Sequence, residues 1–126
     1  MRFLISIGLL LTIIFTGAIL GNMYIMNTMN DFIDSMEDLR DLINNNKWEQ
    51  AEIHLKNLDK NWSQTQDYIL IFVDHAELQN LETALASLSI QIEHRKNIET
   101  LTEINIAIRV LENIKDQEEF ALKNIF

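Results

Sequence analysis

The sequence predicts an all-α protein: an N-terminal transmembrane helix that continues into an exported antiparallel helical bundle or a stack of helical hairpins. Three observations carry that prediction. Residues 3 to 21 read FLISIGLLLTIIFTGAILG, without a charged side chain. Proline is absent, and the glycines Gly8, Gly17 and Gly21 all fall inside that run, so the rest of the chain lacks both strong helix breakers. Beyond the run, apolar residues recur at alternating intervals of three and four, the period of one helix face.

Residues 1–21 are the predicted membrane anchor. As a helix the run from Phe3 to Gly21 rises roughly 28 Å, close to the roughly 30 Å hydrocarbon core of a bilayer. It exceeds the roughly 7 to 15 apolar residues of a secretory signal peptide. Thr16-Gly17-Ala18 nevertheless offers small residues where a signal peptidase reads, so a cut after Ala18 is the alternative fate. Arg2 precedes the run, whereas Asp31, Asp34, Glu37 and Asp38 follow it before the first basic residue, Arg40. Basic flanks stay cytoplasmic, which predicts a single-pass cell-membrane protein with its N-terminus inside and residues 22–126 outside the cytoplasm.

Residues 22–46 are predicted as a juxtamembrane helix continuous with the anchor. Its stripe is Ile25, Met29, Phe32, Met36, Leu39 and Ile43, and it ends in Asn44-Asn45-Asn46, since asparagine tolerates left-handed backbone angles. Residues 47–126 are predicted as about three helices packing with 22–46. The first carries Trp48, Ala51, Leu55, Leu58, Trp62, Thr65, Ile69 and Phe72. The next stripe, Leu78, Leu81, Leu85, Leu88 and Ile92, is out of phase with it by two residues, about 200° of helix rotation, which requires a turn near residues 73–75. Asp74 with Glu77 has capping-box spacing for the new start. Thr100 with Glu103 offers a second box ahead of Leu101, Ile104, Ile108, Leu111, Ile114, Leu122 and Ile125. The start at Lys47-Trp48-Glu49-Gln50-Ala51 is locally similar to a tetratricopeptide-type helix start, but no second copy recurs at a fixed period.

Chemistry finds little purchase. The formal charge is −9, an acidic balance that disfavours nucleic-acid phosphates. There are no cysteines, which excludes disulfides, thiolate metal sites and a cysteine nucleophile. His54, His75 and His94 are too far apart for a helical His-x-x-x-His pair. His75, in Asp74-His75-Ala76-Glu77, is expected to make a capping hydrogen bond. Met23, Met26 and Met29 have thioethers suited to Cu(I), yet the same spacing follows one packing stripe. The acidic groups Asp31, Asp34, Glu37 and Asp38, and Asp116, Glu118 and Glu119, lack a calcium-loop pattern and read as solvated faces. With no Gly-x-Ser-x-Gly and no glycine past residue 21, neither a nucleophile elbow nor a phosphate loop is available. No enzyme, metal or cofactor is expected. The candidate site residues are Trp48, Trp62 and His75, and the tryptophans have core packing and partner binding as their two readings.

The anchor, the two tryptophans, Phe72-Val73-Asp74-His75-Ala76-Glu77 and the closing Asn124-Ile125-Phe126 together resemble the family of domain of unknown function 4363, small single-pass membrane proteins of Gram-positive endospore formers. The resemblance implies a bacterial membrane protein working beside another one, and supplies no activity. The expected function is therefore a non-enzymatic, membrane-anchored extracytoplasmic domain serving as an interaction or accessory module for another envelope protein. The alternative is a ligand-sensing or solute-binding helical bundle. Expected partners are the lipid bilayer and a membrane or envelope protein, with no nucleic acid, and the oligomeric state stays open.

Overall fold

A computed structural model describes residues 1–125; Phe126 and the side chain of Ile125 lie outside the described residues. Four helices form, α1 (Arg2–Asn44), α2 (Trp48–Ile69), α3 (His75–Glu93) and α4 (Asn97–Ile125), with no strand among the described residues. Each helix packs against its chain neighbours, and α4 returns to α1 over the broadest interface. That closure makes a four-helix bundle and rules out an open stack of hairpins, in which the first and last helices would not meet.

The burial pattern follows the stripes. Ile25, Met29, Phe32, Met36, Leu39 and Ile43 of α1 are all buried, as are Leu78, Leu81, Leu85, Leu88 and Ile92 of α3. From α2 the core takes Ala51, Leu55, Leu58, Trp62 and Ile69, and from α4 Ile104, Ala107, Ile108, Val110, Leu111 and Ile114. The stripe predicted for α2 overran its helix: α2 stops at Ile69, so Phe72 sits in the turn and is half-exposed. α1 is uninterrupted across all 43 residues, about 64 Å at 1.5 Å per residue. Its residues 2–18 are exposed on every side, and burial begins only at residues 19–22. This bare part has a mean hydropathy of 2.5 and is the single described helix long and apolar enough to cross a membrane.

Two of the three turns share one device. After α1, Asn46 takes φ 57°, its N–H donates to Ile43 O (3.1 Å) and the Lys47 N–H donates to Leu42 O (2.9 Å). After α3, Arg95 takes φ 52°, its N–H donates to Ile92 O (3.0 Å) and the Lys96 N–H to Gln91 O (2.9 Å). Both are Schellman caps, which satisfy the last carbonyls of a helix through one left-handed residue. The second cap relocates the start of α4. Helix α4 begins at Asn97, not at a Thr100–Glu103 box, and buried Thr100 lies inside it with its hydroxyl donating to the Lys96 carbonyl. At the α2–α3 turn Asp74 is the N-cap of α3 and accepts from the Ala76 N–H at 3.1 Å, with no return bond from the Glu77 side chain among the described residues.

Two contacts fix which end of the bundle adjoins the bare segment. The Asn22 amide donates to both the backbone carbonyl and the Oε2 of Glu118, each at 2.8 Å. The Phe72 ring lies over Gly21, so close that an added Cβ would sit 3.2 Å from Phe72 Cζ. The α2–α3 turn and the late part of α4 therefore flank the point where α1 leaves the bundle.

Candidate functional site

Trp62 is buried, with its ring edge-on to Phe32 at a centroid separation of 5.3 Å and an interplanar angle of 78°. Its indole N–H has no hydrogen-bond partner among the described residues. Trp48 is half-buried against the same core from the opposite end of the bundle. His75 is the exposed first residue of α3; its Nε2 lies 3.2 Å from the Gln79 side-chain nitrogen, and the capping role belongs to Asp74. These three residues do not converge on one site.

Trp62 also lines a groove between α2 and α3 of about 470 Å³, floored by Leu55 and Leu85 and rimmed by Glu52, Lys56 and Glu82. No three potential metal-ligating His, Cys, Asp or Glu side chains gather among the described residues. The methionine series separates: Met29 is fully buried, Met26 half-buried and Met23 exposed, so the three thioethers do not present one soft-metal face. Asp31, Asp34, Glu37, Asp38 and Asp116 are exposed, whereas Glu118 and Glu119 are half-buried.

Two polar contacts escaped the sequence. Glu118 meets Asn22 across 96 residues, and burial raises its pKa above the usual 4.5, with the Asn22 hydrogen bond opposing that shift. A signal existed on each side: Asn22 precedes Ile25 on the α1 stripe, and Glu118 fills the gap between Ile114 and Leu122 on that of α4. His54 Nε2 lies 2.8 Å from the Ser35 carbonyl oxygen, which only accepts, so Nε2 carries the proton in this contact. It ties α2 to α1.

Several large apolar side chains outside the bare segment are exposed where α1 leaves the bundle. In the α2–α3 region Ile71 is 81 % exposed, Tyr68 69 % and Phe72 50 %, and Phe120 of α4 is 66 % exposed. The turn between α2 and α3 bonds three of its amides internally: Leu70 N–H donates to Gln66 O, and those of Phe72 and Val73 to Ile69 O, at 2.9 to 3.0 Å.

Compared with known proteins, the chain matches one family, described as domain of unknown function (DUF4363), over residues 19–125. No curated protein and no solved structure matches it.

Proposed function

The chain belongs to the family of domain of unknown function 4363, and from that premise we propose that it is a non-enzymatic, single-pass membrane protein. Its helical domain stands outside the cytoplasm as an interaction or accessory module for another envelope protein. The observation that carries this proposal is the form of α1: one helix whose residues 2–18 are bare and whose later part is a wall of the bundle core. So much bare apolar surface is costly in water and favourable in hydrocarbon, at about 25 cal/mol per Å². Orientation follows from Arg2 before the segment and the acidic residues after it. Crosslinking in native membranes should recover one defined envelope protein repeatedly, and its repeated absence would count against the module role.

A second proposal, a ligand-sensing or solute-binding bundle, is favoured by the α2–α3 groove, whose volume suits a small molecule. A compound seated there would raise the melting temperature of the protein and lose that effect in Leu85→Trp, which fills the groove.

A further inference from the structure

We propose that the α2–α3 turn is a second membrane-contact site, at which Tyr68, Ile71 and Phe72 enter the headgroup–acyl boundary beside the exit of α1, so that lipid covers this apolar patch. The proposal rests on the reading of the bare segment as a membrane span, and four observations carry it further. The patch is continuous with that segment, because Phe72 packs on Gly21, the last residue of the apolar run. Phe120 of α4 is exposed at the same end, two residues beyond the Glu118 that meets Asn22. Where a surface turn ordinarily carries polar residues, this one reads Leu-Ile-Phe-Val, and its most exposed side chain is Ile71. Finally, the amides of Leu70, Phe72 and Val73 are bonded inside the turn, so entry into the headgroup–acyl boundary leaves only those of Ile71 and Asp74 to the water of that layer.

Charge identifies the force that seats the turn. Asp67 and Asp74 flank it, and Asp116 and Glu119 lie on the adjoining part of α4, against Lys115 and Lys123. This balance gives no attraction to anionic headgroups. Contact is therefore apolar, with Tyr68 suited to the interface because its ring combines an apolar body with a polar hydroxyl. The bundle then stands on the membrane at two places, α1 and the turn, and cannot swing freely about residue 21.

The absence of cysteine makes the test direct. Ile71→Cys, Ile13→Cys and Ile53→Cys, all at exposed positions, are each labelled with an environment-sensitive fluorophore in the full chain. The proteins are reconstituted into phosphatidylcholine vesicles with or without lipids carrying a shallow or a deep nitroxide quencher, and circular dichroism confirms the fold of each. The label at 71 should lose roughly half its emission or more to the shallow quencher, as expected for a depth of roughly 5–10 Å below the surface, and added salt should not restore it. The label at 13 should be quenched by the deep probe and the label at 53 by neither. Quenching at 13 without quenching at 71 overturns the turn contact and leaves the span intact. A blue-shifted but unquenched label at 71 also overturns it, because a protein surface then covers the patch. Loss of quenching at 13 overturns the span itself.

Discussion

Arg95 holds a backbone conformation that costs an L-residue roughly 1–2 kcal/mol, because its Cβ crowds the following carbonyl. Glycine avoids that crowding but loses more chain entropy on folding, so Arg95→Gly should stabilise the bundle by about 0.5–1 kcal/mol. Thermal or denaturant unfolding in detergent measures the gain, and Asn46→Gly should give less because asparagine already tolerates the angle. Glu118 makes stability depend on pH in the direction opposite to a salt-bridged carboxylate. Burial makes the folded state hold its proton more tightly than the unfolded chain does. Its contribution is complete below the usual value of 4.5 and is lost as pH rises through the raised value. Glu118→Gln keeps an acceptor for the Asn22 amide and removes the charge. It should be more stable than wild type at neutral pH, with the difference shrinking as pH falls through the raised value toward 4.5 and constant below it. Melting temperatures of the two proteins across pH read this out, since the other carboxylates are common to both.

At the scale of single helices the tryptophans separate by position. Trp62 meets Phe32 in the middle of the α1–α2 contact, so Trp62→Ala should cost about 3–5 kcal/mol, the range for a large aromatic removed from a core. Trp48→Ala, at a half-buried helix start, should cost clearly less in the same unfolding experiment. Trp62→Phe should also be milder than alanine, because it keeps an aromatic ring and deletes an indole N–H that has no partner. The stripes on α1, α2 and α3 were legible because one buried face per helix imposes its period on the sequence. The start of α4 was not, since the left-handed Arg95 ends α3 without the glycine or asparagine that would announce it, and Thr100 imitates a cap from inside the helix. The Asn22–Glu118 contact was hidden for another reason: which polar residues meet across helices depends on a tertiary pairing that periodicity does not specify.

For the molecule as a whole, the boundary between bare and packed residues falls at 19–22, slightly beyond the candidate cut after Ala18. The core therefore draws nothing from residues 1–18. A chain beginning at Ile19 should unfold cooperatively and keep the near-complete helicity of the bundle, measured by circular dichroism in mild detergent that covers the exposed turn. Loss of the transition would mean that the apolar segment helps to hold the fold. The closure of α4 on α1 makes this outcome expected, since both ends of the bundle core are clamped by contacts from Asn22 onward. Helical class and the long first helix could be read from the sequence, whereas the closed ring could not. Four amphipathic helices of similar length satisfy their stripes in either a bundle or a stack until the meeting of the first and last is seen.

The unbroken α1 has one more consequence, an azimuthal one. With no proline and no hinge between residue 2 and residue 44, each apolar side chain is phased to the buried stripe by about 100° per residue. The bundle thus acts as a compass for the segment before it: whichever way the Ile25–Ile43 face points, the heading of every residue from Phe3 to Leu20 is set. Any neighbouring helix meets a face set by a stripe that begins outside the segment, at Ile25.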